Sequence, residues 1–120
     1  MKALELKFGK ENIQGRYTFF STVDLLKVAI NNVTKEGGLD VKEMSTRLRL
    51  LKIFEPFTEF IVGEGEFTDS HLDIRKTVEI EDADFNKIKE LFSQVKWGVI
   101  SEFIINLDND LTNPKEAKKD

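Results

Sequence analysis

No disulfide, thiol nucleophile or cysteine ligand is open to this chain, because it contains no cysteine. His71, its one histidine, is the only side chain whose ordinary pKa lies near neutrality. No pair of ionisable residues stands at the spacing of a known catalytic or metal motif, so no cofactor is expected. Long apolar runs are absent as well, which excludes a membrane partner by helix insertion. The opening Met-Lys-Ala-Leu-Glu-Leu-Lys-Phe alternates in polarity, unlike the apolar centre of a signal peptide. The expectation is a soluble cytoplasmic protein. Tyrosine and tryptophan occur once each against ten phenylalanines. Phenylalanine has no polar group to satisfy, so most of the ten belong in a core, and any exposed ones mark contacts.

What is present suits one folded unit. A chain of 120 residues supports a single cooperative core and is too short for two ordinary domains. Hydrophobic residues make up 40% and charged residues 33%, a balance that excludes a disordered segment. The net charge of −4 is uneven, with the acidic excess confined to residues 61–120. That half repels a phosphate backbone at long range, so nucleic acid is not the favoured partner.

Leu4, Leu6 and Phe8 alternate with Glu5 and Lys7, the period of a half-buried strand. Gly9 and residues 12–15 read as a turn before a second strand from Tyr17 to Phe20. Ser21 or Thr22 caps a helix with Leu25, Leu26, Ala29, Ile30 and Val33 on its inner face, closed by Gly37–Gly38. Asp40 and Glu43 start a second helix, residues 40–55, with a stripe of Val41, Met44, Leu48, Leu51 and Phe54. An alternating strand through Leu48, Leu50, Lys52 and Phe54 is the competing reading. Phe60, Val62 and Phe67 predict a strand that returns through Leu72, Ile74, Val78 and Ile80 as a hairpin; a loop is the alternative. Asp82 caps a helix buried through Phe85, Ile88, Leu91, Phe92 and Val95. Trp97–Gly98 turns a corner into a last helix from Val99 to Leu111, with Ile100, Phe103, Ile104, Leu107 and Leu111 inward. The fold class that follows is α+β, a small antiparallel sheet against about four amphipathic helices; a mostly α fold is the alternative. Residues 1–111 form the domain, and 112–120, with nothing to bury, form a flexible tail.

Chemistry-bearing groups each carry a plain structural reading beside a functional one. Asp69 and Asp73 flank His71, which makes that turn the centre of the enzyme reading, although zinc wants three converging ligands with outer support. Asp108, Asp110 and Thr112 open like a calcium loop, but the sixth and twelfth positions are Asn113 and Lys119 where glycine and glutamate are required. Gly63-Glu64-Gly65-Glu66 lacks the lysine and hydroxyl of a phosphate loop, and its carboxylates oppose phosphate. Lys42, Arg47, Arg49 and Lys52 gather positive charge on the second helix, with Lys35 just before it, the basis of a nucleic-acid reading. Glu79, Glu81, Asp82 and Asp84 form the acidic group of a mimic or inhibitor reading. Trp97, with Phe57, Phe60 and Phe67, supplies candidate interface anchors.

The run Val78-Glu-Ile-Glu-Asp-Ala-Asp-Phe, followed by Ile88-Lys-Glu-Leu-Phe and Trp97-Gly-Val-Ile, resembles small accessory proteins encoded by tailed phages. Arg47-Leu-Arg-Leu-Leu-Lys-Ile resembles their first core helix, so the likeness covers residues 47–53 and 78–107. It describes packing and brings no catalytic residue with it. It implies a virus-encoded assembly factor or a regulator of a host protein. Together the residues and the resemblance predict a non-catalytic protein-binding module that contacts another protein and itself, with Arg47, Arg49, Lys52, Glu79 and Glu81 orienting the contact.

Overall fold

The alternation at the start of the chain continues further than the first six apolar and polar residues require. In a computed structural model that describes residues 1–33, 37–61 and 67–116, strand β1 runs over Lys2–Ile13. Gln14 and Gly15 then turn the chain with φ of 53° and 83°. Two consecutive residues of positive φ make the tight hairpin turn whose twist matches that of paired strands, and glycine takes one of the two places without a Cβ clash. Strand β2, Arg16–Ser21, returns beside β1 in a register from Ile13↔Arg16 to Phe8↔Ser21.

The first half of β1 has a different neighbour. Strand β3, Arg75–Ile80, pairs antiparallel from Lys2↔Ile80 to Lys7↔Arg75. A short strand β4, Lys115–Glu116, adds to Lys2 and Ala3. The sheet order is β2-β1-β3, with β4 on β1, so among the described residues every strand pairing passes through β1. Four α-helices complete the described residues: α1 (Thr22–Ile30), α2 (Val41–Phe54), α3 (Asp82–Ser93) and α4 (Glu102–Thr112). The α+β class, with one antiparallel sheet, stands.

The core joins Leu4, Leu6 and Phe8 of β1 to Leu26 and Ile30 of α1, Ile88 and Leu91 of α3, and Leu107 and Leu111 of α4. Phenylalanine pairs hold elements that lie far apart in sequence. Phe8 stacks on Phe60 at 5.0 Å, and Phe20 stacks on Phe103 at 5.7 Å. Gly9 lies opposite Phe20, and a Cβ built on it would stand 2.3 Å from the Phe103 ring. Gly9 is therefore not a turn residue but the gap in β1 that lets α4 approach. Two strand positions later, the Glu11 carboxylate accepts from the backbone N–H of Glu102 at 2.7 Å and of Phe103 at 3.2 Å, and also takes the Ser101 hydroxyl. Those amides have no partner within the helix, and negative charge suits that end.

Several boundaries differ from expectation, each for a visible reason. Residue Phe60 ends a 3₁₀ turn (Thr58–Phe60), and another 3₁₀ turn covers Asp69–Asp73, so the expected hairpin from Phe60 to Ile80 is not formed. The true hairpin partner is β2, and β3 pairs with β1. Val62 and the Gly63–Glu66 run lie outside the described residues. Helix α1 stops at Ile30, well before Gly37–Gly38, and Val33 is exposed. Helix α3 takes Glu81, not Asp82, as its N-cap. Helix α4 begins only at Glu102, because Ser101 caps it by accepting from the Ile104 N–H; Ile100 is left outside the first turn and is 94% exposed. Lys115 and Glu116 of the expected tail pair with β1, where Lys2 also binds Glu116, because the edge at Lys2–Ala3 offers unpaired backbone groups.

Two substitutions test the seating of α4. Gly9→Ala is expected to cost about 1–3 kcal/mol through overpacking against Phe103, and Phe103→Leu in the same chain should return part of it. Glu11→Ala is expected to cost about 1–2 kcal/mol through the lost cap. Urea denaturation followed by circular dichroism checks both.

Candidate functional site

Helix α2 begins as its sequence dictates. The Asp40 carboxylate accepts from the Glu43 N–H at 2.7 Å, the geometry of an N-cap. The alternating-strand reading of Leu48 to Phe54 is thereby excluded. Which face of the helix enters the protein is a different matter. The stripe of Val41, Met44 and Leu48 points outward, at 75%, 55% and 54% exposure. Arg47, Leu50 and Phe54 are the buried residues, with Arg47 only 5% exposed.

The reason lies at the end of α1. The Arg47 guanidinium donates to the Ile30 carbonyl at 3.2 Å and to the Asn32 carbonyl. Those acceptors belong to the C-terminal end of α1, where orphan carbonyls collect partial negative charge. Arg47 Nε also meets Glu43 at 3.2 Å, and Glu43 receives Lys87 of α3 at 2.9 Å. The hydrogen bond from Lys87, assisted by Arg47, holds the Glu43 carboxyl below its ordinary value of 4.5. One charged cluster thus joins α1, α2 and α3. Successive residues on a helix are turned by about 100°. A rotation that buried Met44 and Leu48 would carry Arg47 away from those carbonyls.

Leaving most of Val41 and about half of Met44 and Leu48 in water forgoes part of the ~1.5–3 kcal/mol that full burial of each would contribute. Single exposed aliphatics are ordinary on protein surfaces, but a contiguous stripe is not. Beside this stripe lies a groove of about 350 Å³ lined by Ile30, Val33, Leu39, Met44, Leu48 and Leu51, with Asn31 and Arg47 as its polar members. A second apolar recess of about 480 Å³ runs past Phe19, Leu25, Val28 and Phe67. It has no comparable exposed stripe, since Val28 alone among its apolar lining is exposed.

The residues singled out from sequence fall into separate places. Phe60 is fully buried against Phe8, so it is a core residue and not an interface anchor. Phe57, Phe67 and Trp97 are half-buried on the core, Trp97 tilted on Phe92 at 5.2 Å. The basic set is divided: Arg47 is buried, Arg49 pairs with Asp84 at 2.8 Å, and Lys42 and Lys52 are exposed. Lys35 lies outside the described residues. Glu79 and Glu81 are exposed, on β3 and at the start of α3. His71 accepts the Thr68 N–H at its Nδ1 at 3.1 Å and lies edge-on to Phe8 at 5.2 Å. Asp69 is drawn instead to Lys10 at 3.0 Å. The turn therefore holds a histidine that closes its own backbone, and among the described residues no carboxylate is bonded to its ring. Among the described residues, no three metal-ligating side chains converge, and no helix is long and apolar enough to cross a membrane.

The periodicity of α2 was visible in the sequence; its outward direction was not. The signal that could have found it is Arg47, the one charge on the opposite flank of the stripe with Glu43 a turn before it. Comparison with family models, curated proteins and solved structures yields no match. The residues themselves must carry the functional reading.

The orientation of α2 has a sharp mutational signature. Leu48→Ser is expected to change stability by less than about 0.5 kcal/mol, whereas Leu50→Ala costs about 2–5 kcal/mol and Arg47→Ala about 3–5 kcal/mol; equilibrium urea unfolding of the three reads the contrast directly. Acid should act through Glu43. Because its folded-state pKa is depressed, its contribution is complete above the ordinary value and is lost as pH falls through the depressed one. In Glu43→Gln, thermal unfolding between neutral and acid pH should show a flatter decline than in the parent.

Proposed function

We propose that the chain is a non-catalytic protein-binding module that acts in the cytoplasm and docks a partner on the outward face of α2. The observation that carries this reading is the facing of α2: Arg47 enters the protein beside Leu50 and Phe54, while the aliphatic stripe of Val41, Met44 and Leu48 faces water. A protein that needed α2 only as a cover for its core would have no use for Val41, Met44 and Leu48 in those places. Occupation of the stripe by another protein recovers the burial that the fold leaves unused. Methionine among the anchors suits such a surface, since its unbranched side chain adapts to the partner's shape. A small module with one docking face and no reactive centre fits the work of an assembly factor or regulator, the class implied by the likeness to phage accessory proteins.

Site-specific photocross-linking tests the reading in the cell that encodes the protein. A benzophenone side chain at position 44 is expected to give a discrete protein adduct, lost when Leu48→Asp is added. The same group at Asn109, exposed on α4, should not give it. No adduct from position 44, or the same adduct from both positions, would overturn the proposal.

A further inference from the structure

The docking face of α2 also specifies what kind of surface fits it, an inference that rests on the function just proposed. The stripe places Val41, Met44, Leu48 and Leu51 at intervals of three, four and three. That is the spacing with which one helix presents a seam to another. The groove alongside, about 350 Å³, is long on aliphatic walls and short of polar groups. Of its two polar members, Arg47 already spends its guanidinium on Ile30, Asn32 and Glu43, and Asn31 donates to the Lys27 carbonyl at 2.9 Å. The described lining of the groove is thus mainly aliphatic, which suits apolar inserted side chains.

The edge of the stripe is different. Lys42 and Lys52 are exposed along it and form no ion pair among the described residues. Arg49 lies between them on the same flank, 61% exposed while paired with Asp84. Glu55, at the C-terminal end, is the acidic exception. The other edge is Arg47 itself, turned inward. A partner therefore meets an apolar centre and one basic border.

We propose that the occupant is an amphipathic helix of another protein, with aliphatic side chains at heptad spacing and acidic residues along one edge facing Lys42 and Lys52. Such a helix lays knobs into the groove between Val33, Leu39 and Leu48, while its carboxylates set direction and register.

Two synthetic peptides separate this from other occupants. Both carry the same leucines at heptad spacing; one has glutamates along its edge and the other lysines. Fluorescence anisotropy with the full chain is expected to show the glutamate peptide bound more tightly by at least about tenfold. That preference should shrink with added salt, and it should disappear in Lys42→Glu/Lys52→Glu. Leu48→Asp should weaken the glutamate peptide by at least about tenfold. Equal affinity for both peptides, or binding indifferent to Leu48→Asp, would overturn the proposal. Sedimentation velocity of the protein alone supplies the other arm. Association that grows with concentration and is abolished by Leu48→Asp would give the face to a second copy of this chain and overturn the acidic-helix assignment. If neither peptide binds and the protein stays monomeric while the adduct at position 44 persists, the helix class is wrong and the docking face survives; if the adduct is absent too, both readings fall.

Discussion

The Arg47 guanidinium determines how half of this protein is arranged. It closes the C-terminal end of α1, fixes the rotation of α2 and, through Glu43, meets Lys87 of α3. A charge so deeply placed costs desolvation, and it is tolerated because carbonyls and a carboxylate replace its water. The arrangement has a structural consequence beyond the cluster. By occupying the inner face of α2, a polar network displaces an apolar stripe to the outside. The face proposed for docking is the other side of the same helix and follows from that choice.

The aromatic residues show the same division of labour from the other direction. All ten phenylalanines are buried or half-buried, and they link the sheet to its surroundings: Phe8 with Phe60, Phe19 with Phe67, Phe20 with Phe103. Of the phenylalanines expected as contact anchors, Phe60 is fully buried, whereas Phe57 and Phe67 keep part of their surface exposed. The exposed large hydrophobics include Val41, Met44 and Leu48 on α2, Val99 and Ile100 before α4, and the aromatic Tyr17 on β2. Phenylalanine here is core material.

How much of this was legible depended on whether the controlling contact was local. The alternation of Leu4, Leu6 and Phe8, the Asp40–Glu43 helix start and the stripe Phe85, Ile88, Leu91 and Phe92 are set by neighbours within a few residues, and each appears in the structure. The direction of α2 depends on carbonyls at Ile30 and Asn32, which no periodicity within residues 41–54 encodes. Gly9 looked like a turn because glycine usually is one; its role depends on Phe103, far along the chain. The hairpin expected at residues 60–80 failed because β1, not a nearby strand, offered β3 its edge. Helix and strand were thus readable as types, whereas facing and pairing were decided by distant residues. The candidate site was half visible: its residues were named as an inward stripe, of which Phe54 is buried and Leu51 half-buried as expected while Val41, Met44 and Leu48 face outward.

The passage of every described strand pairing through β1 bears on the order of events during synthesis. Hairpin β1–β2 joins adjacent residues and can close as soon as Ser21 has left the ribosome. The remaining edge of β1 must then wait while α1, α2 and the two 3₁₀ turns are made, because its partner begins only at Arg75. Contacts between distant residues are slow to form, and an unpaired edge is a template for the wrong neighbour. Through that interval the open edge carries Lys2, Glu5 and Lys7 among its apolar residues, charges that discourage a second nascent chain from pairing there before β3 arrives.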